Sequence, residues 1–410
     1  MSCAFEYFVA ILVSGSFLTK VLVAVGLSDA MIGIISSFIS LAFLFQLLSI
    51  PLSQCVTNTK RCVAGFRIAS HLFFLTLYVL PFWSIPNEYK QVVAVFCVLF
   101  AYFCLYLVSL LCAKWSDSFI DPTHRARFGA SKEMVSLLGG MIVSLLVGYV
   151  LDAYEADGNL SGGFLFTAIA GLVFALCDFS CLLIMKNRIN TQRKKEKLPT
   201  RDIVKNTLGN TAFLNILIMS VLRSVGVYFA SGFLSVYYLK ELAFSVLFVE
   251  VITMLGSLAR CAISKPFGRY SDKKSFAKGM ELGVWLEVIA YGILMFATPQ
   301  LRYFIIPASL LRSVAMAGIN SNAQNMMYSY IDKKYFVQAS AIKNSVSGVC
   351  GFLASLAGGA LLAHIQANGN TLFGIPVYGQ QVLCGITFVL LLGTTLFLHL
   401  VIGKQKVQIQ

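Results

Sequence analysis

Glu6 and Arg223 stand 217 positions apart, each inside a long apolar run. Ser14 and Ser231 share that offset, so the two charges hold equivalent places in two copies of one unit. A charged side chain at membrane depth costs about 2.5–3.5 kcal/mol on insertion scales and marks a pathway or a buried pair. An acid and a base at equal depth could face one another. Such a pair would recognise a charged ligand, or act as a proton-sensitive switch in which the guanidinium keeps the carboxylate ionised until a ligand separates them. The alternative is that Glu6 reaches to the inner interface while Arg223 pairs elsewhere, for instance with Glu250.

A second group is polar but uncharged. Arg312, Met316, Asn320 and Gln324 recur every four residues and fall on one slowly turning helical stripe. That stripe is suited to hydrogen-bonding a polar solute. Asn322 and Asn325 complete the cluster, and helix-to-helix bonding, worth about 0.6 kcal/mol per bond in membranes, is the competing use. Tyr228 lies five residues beyond Arg223, and Gln46, His71, Tyr102 and Tyr106 are spread over other apolar runs. Aromatic bodies with one polar tip suit a site for an organic molecule, and equally suit packing.

The elements that must position these residues are membrane helices. The chain is 58% hydrophobic and 12% charged, against roughly a quarter charged in a soluble domain. Twelve apolar runs approach the roughly 20 residues needed to cross a bilayer: 3–25, 30–52, 63–84, 91–113, 131–151, 161–186, 208–239, 243–264, 278–298, 303–328, 337–364 and 377–402. The net charge of +14 is concentrated in alternate loops, at Lys60 and Arg61, in the polybasic stretch that includes Arg193-Lys194-Lys195, and at Lys273 and Lys274. By the positive-inside rule those loops and both termini are cytoplasmic. The charge therefore reports topology and gives no reason to expect a nucleic-acid partner. Most of the eleven cysteines fall within apolar runs and read as small hydrophobes. No motif for nucleotide, metal or nucleophilic chemistry is found, so no cofactor and no enzymatic activity are expected.

The runs form two copies. Lys132, Ser136, Gly140, Ser144 and Gly148 reappear as Lys343, Ser347, Gly351, Ser355 and Gly359, 211 positions later. Ser118, Ile120 and Asp121 precede Ser329, Ile331 and Asp332 by the same interval, and Pro51 aligns with Pro266 at an offset of 215. Parallel repeats imply a pseudo-twofold axis along the membrane normal. The expected layout is a six-helix bundle over 1–186, a cytoplasmic polybasic linker over 187–206, and a second six-helix bundle over 207–410.

At Gly268-Arg269-Tyr270-Ser271-Asp272-Lys273-Lys274 the chain is similar to the cytoplasmic loop motif of the major facilitator superfamily, and Gly26-Leu27-Ser28-Asp29-Ala30-Met31-Ile32-Gly33 resembles that family's outer turn into the second helix. The first copy of the loop, from Pro51 to Arg61, keeps the basic end but has no Gly and no acid. The resemblance covers the whole chain. It implies an all-α membrane protein of twelve helices in two bundles, working by alternating access on a small organic solute, coupled to a proton or another ion. It implies that the first and seventh helices line a central cavity, bringing Glu6 and Arg223 across it. Asp178, Glu281 and Glu287 would sit on peripheral helices and pair or reach outward. Asp272 would latch near the start of the fifth helix, around Arg127 and Lys132. The fifth helix would pack on the eighth and the eleventh on the second, making the ridges Ser136–Gly148 and Ser347–Gly359 bearing surfaces between bundles. A monomer in the plasma membrane is expected. A multidrug exporter is disfavoured because the fifth helix has Gly139, Gly140 and Gly148 but no Pro. A non-transporting sensor would not need the buried charges.

Overall fold

The computed structural model describes residues 2–56, 58–119, 125–186, 208–331, 336–372 and 374–404. The linker at 187–206 lies outside these residues, as do Asp121 and Asp332 and the side chain of Arg127. Helix fills each expected run. In chain order the helices are α1 (Ser2–Leu12), α2 (Gly15–Ala24), α3 (Asp29–Ser36), α4 (Phe38–Cys55), α5 (Thr59–Val79), α6 (Asn87–Asp117), α7 (Arg125–Ala156) and α8 (Leu160–Ile184). After the linker come α9 (Thr211–Ala230), α10 (Val246–Lys274), α11 (Phe276–Leu294), α12 (Ile305–Tyr330), α13 (Phe336–Ala367) and α14 (Gly379–Leu400).

Short polar side chains start several of them, because the first backbone N–H groups of a helix lack partners. Asn58 accepts from the Arg61 N–H at 3.1 Å, Asn159 from Gly162 at 3.0 Å, Asn210 from Ala212 at 2.9 Å and Ser275 from Lys278 at 3.1 Å. The aligned Ser-Gly pairs interrupt helix in both halves. Gly15, at φ +56°, breaks the first run into α1 and α2, bent by 43°, and Ser231–Phe233 forms a 3₁₀ turn after α9.

Among the described residues ten helical segments are long and apolar enough to cross a membrane, and the bent α1–α2 pair, taken as one span, makes an eleventh. α11 does not qualify, since Lys278, Glu281 and Glu287 place three charges in its 19 residues. The eighth run is also longer than expected. α10 continues through Pro266 and the whole Gly268–Lys274 motif, where Phe267 and Ser271, four apart, are buried at 6% and 2% exposure. Tertiary packing of that stripe overrides the local break signals. Between α13 and α14 an antiparallel ribbon, β1 (Thr371–Leu372) with β2 (Ile375–Pro376), pairs Thr371 with Pro376.

The helices fall into two compact units. The first contains the N-terminal half together with Tyr238–Lys240 and Phe244–Val251. In it α5 packs on α6 and α8, and α1 on α7 and α8, around a core of Val63, Ala64, Val108, Leu111, Trp115 and Leu182. In the second, α9 packs on α13 and α14, and α11 on α12 and α14. The outer surface of α8 presents Leu165, Ile169, Leu172 and Leu176, a helical stripe of apolar side chains suited to lipid.

Candidate functional site

Each unit holds a buried charge cluster. In the first, α5 carries Arg67 and His71, four residues apart and hence on one face. α1 supplies Glu6 and α8 supplies Asp178. Arg67 Nη2 lies 2.5 Å from Glu6 Oε2 and 3.2 Å from Asp178 Oδ1. Its Nε is 3.0 Å from Asp178 Oδ2, at ion-pair distance but outside hydrogen-bond alignment. His71 Nε2 lies 3.2 Å from the same Oδ2, and Ser2 Oγ donates to Oδ1 at 2.6 Å. The side chains of Arg67 and Asp178 are only 2% and 1% exposed, whereas that of Glu6 is 34% exposed. Two carboxylates thus share one guanidinium, and Asp178 also meets the imidazole.

In the second unit the polarity is reversed. Arg223 on α9 grips Glu287 on α11 in a bidentate fork, Nε to Oε2 at 2.9 Å and Nη2 to Oε1 at 2.6 Å. Nη2 also reaches Met316 Sδ on α12 at 3.4 Å. One turn before Met316, the Arg312 guanidinium lies 5.2 Å from the centroid of the Tyr291 ring, a cation–π contact. Lys343 on α13 is close enough to Arg223 for the two charges to interact.

Glu6 and Arg223 are both half-buried, and each has a partner within its own unit. An equal offset fixes depth along a helix; it does not fix direction around the axis. Nor does Arg223 pair with Glu250, which accepts a hydrogen bond from Ser16 Oγ in the first unit. Arg67 was missed altogether. The available signal was a lone arginine inside the third apolar run, four residues before His71. Asp178 and Glu287, expected to pair or reach outward, both pair.

The polar stripe of α12 divides. Asn322 is buried and donates to the Gly318 carbonyl at 2.8 Å, with Gly279 of α11 packed against it. Asn320 and Gln324 are exposed and Asn325 is half-buried. Gln46 is half-buried with its Oε1 lacking a partner among the described residues. Tyr102 and Tyr106 pack edge-on against Phe74 and Phe43, at 5.0 and 5.3 Å. In the loop motif Arg269, Asp272 and Lys273 are exposed, and so is Lys132. Gly268 sits within α10 with open space where a Cβ would project, so no close approach requires it.

Two glycines of the small-residue ridges face the first helix of their own repeat. A Cβ on Gly140 would lie 2.6 Å from Ile11 Cδ1 and Tyr7 Cε1 of α1, and one on Gly351 would lie 2.6 Å from Tyr228 Cδ2 of α9. Both contacts lie within one repeat, and the second makes Tyr228 a packing partner. Ser136, Ser347, Ser355 and Gly359 are buried. Gly148 meets the Leu247 backbone, its Cβ position 3.5 Å from Leu247 Cα. Beyond it Asp152 of α7 caps α10, Oδ1 accepting from Val246 N at 3.1 Å and Oδ2 from Leu247 N at 2.8 Å. A carboxylate there is favoured by the helix dipole.

Long apolar helices in two units, each holding a charge cluster, define a multi-pass membrane protein. The sequence profile of the Major Facilitator Superfamily matches residues 1–355, and the chain belongs to that family. Its fold is similar to that of the nucleoside transporter NupG (TM-score 0.71, 13% identity, 99% of each chain covered). It is also similar to an auto-inhibited POT family peptide transporter (0.73, 13%, 100% of this chain and 97% of that one) and to the D-xylose-proton symporter (0.68, 14%, 96% and 94%). No curated protein sequence matches the chain.

Proposed function

We propose that the protein is a secondary active carrier that moves a small organic solute by alternating access, using a gradient of protons or another ion. Twelve spans in two six-helix bundles, in the plasma membrane with both termini inside, complete the reading. The observation that carries it is Arg67, held at 2% exposure between Glu6 and Asp178. A membrane scaffold has no use for a cluster of two acids and a base inside a helix bundle, since such residues are costly within a membrane. The partly exposed Glu6 is the member of the cluster placed to meet a solute or proton. Asn320 and Gln324, exposed on α12, and Arg312 supply hydrogen-bonding groups for a polar solute. Asp272 and Lys273, on the exposed end of α10, act in gating.

Nucleosides, peptides and D-xylose, named for the similar structures, supply the first candidate solutes. Purified protein in proteoliposomes should accumulate one of a panel of nucleosides, sugars and short peptides when a pH gradient is imposed. Without the gradient uptake should only equilibrate. A panel with no protein-dependent flux in either condition would leave a sensor or scaffold as the better reading. Asp272→Asn is expected to change the transport rate without abolishing solute binding.

A further inference from the structure

Glu250 lies four residues into α10, and at 9% exposure it is one of the few buried acids in the chain. Asp178 and Glu287, the other deeply buried acids described above, each have a guanidinium. Glu250 has none: among the described residues no Lys, Arg or His pairs with it. The groups that face it come from three helices and are all hydroxyls. Ser16 of α2 donates to Oε1, Ser144 of α7 lies beside the carboxyl, and Tyr78 of α5 is near but gives its own proton to the Leu12 carbonyl.

We propose that Glu250 is a proton-binding site, protonated in this conformation and held between Ser16 and Ser144. The surroundings argue for it: the carboxyl is buried, meets hydroxyls, and has no cation against it among the described residues. Burying a lone carboxylate in an apolar surround is far more costly than burying the neutral acid. The bound proton is exchanged with water: it adds to Oε2 as a carboxylate becomes a carboxylic acid, and leaves the same way. The small residues of the α7 ridge thereby gain a use, since Ser144 is one of them and Gly148, one turn on, lets the start of α10 approach.

This deepens the carrier reading by naming where the coupled proton rides, and its test needs no transport. Infrared difference spectra of the reconstituted protein across a pH titration should contain the C=O stretch of a protonated carboxylic acid, shifted in D2O. The band should vanish in Glu250→Gln and change frequency in Ser16→Ala and Ser144→Ala, which keep the acid in place. Thermal stability gives a second readout. As pH rises, the unfolded wild type ionises at this position while the folded state resists, so wild type should lose Tm relative to Glu250→Gln. A wild-type spectrum without the band, a band unchanged in Glu250→Gln, or Tm curves that stay parallel with pH would overturn the proposal. Any of these could occur in a protein that transports, so failure here leaves the carrier reading to its own flux assay.

Discussion

A guanidinium within 3.2 Å of two carboxylates, all three inside a helix bundle, is stable only while the group stays complete. Removing one member of a buried pair typically costs about 3–5 kcal/mol, because the others are left uncompensated. Arg67→Met should therefore lose stability of that order in unfolding followed in detergent. Arg67→Lys should recover little, since an ammonium cannot span Glu6 and Asp178 as a planar fork does. The second unit allows a sharper version. Arg223→Met and Glu287→Gln should each destabilise, while the double variant should be milder than their sum, with a coupling of roughly 0.5–3 kcal/mol. Strict additivity in that cycle would mean that the fork contributes nothing. The residues bearing these charges were partly legible from sequence, Glu6 and Arg223 by their shared offset, but their partners were not. Pairing depends on which faces converge, and Arg67 and Glu287 approach across helices 61 and 64 residues distant in the chain.

The positions of the helices were the most legible feature, because twenty-residue apolar runs leave few other structures open. Their ends and contacts were less so. The loop motif reads as a turn, with Pro266 and Gly268 two and four positions beyond the expected helix end at 264. Phe267 and Ser271 nonetheless supply a buried stripe that carries α10 on to Lys274. Gly268 therefore occupies helix interior with free space around it, and Gly268→Ala should stabilise the protein by about 0.5–1 kcal/mol. A loss of stability would mean that the segment needs a glycine conformation after all. The ridge glycines behave oppositely. Gly351→Leu would drive side-chain atoms into Tyr228, and overpacking of a filled interface costs about 1–3 kcal/mol. Because that contact lies inside one repeat, the variant should lower Tm, where a bearing surface between bundles would instead have altered transport at unchanged Tm.

Orientation is a property of the whole molecule, and it rests on charge that no single helix reveals. Lys60, Arg61, Lys265, Lys273 and Lys274 lie at one set of helix ends. Glu88 and Asn368 lie at the other set, beside the starts or ends of α6 and α13. Translocating a cluster of cations is opposed by the membrane potential and by anionic lipid on the inner leaflet, the basis for the proposal that the first set lies inside. A cysteine introduced at Glu88 or Asn368 should then react with a membrane-impermeant maleimide on intact cells, above the background of the native cysteines. One at Lys60 or Lys274 should react only after permeabilisation. The same assignment puts the start of α10, and with it the Asp152 cap and Glu250 four residues on, toward the outer face. A proton arriving from outside would then have little helix to traverse before meeting its acceptor. The reverse labelling pattern would move Glu250 to the inner side and reverse the side from which it is loaded, while leaving its hydrogen bonds to Ser16 and its place beside Ser144 unchanged.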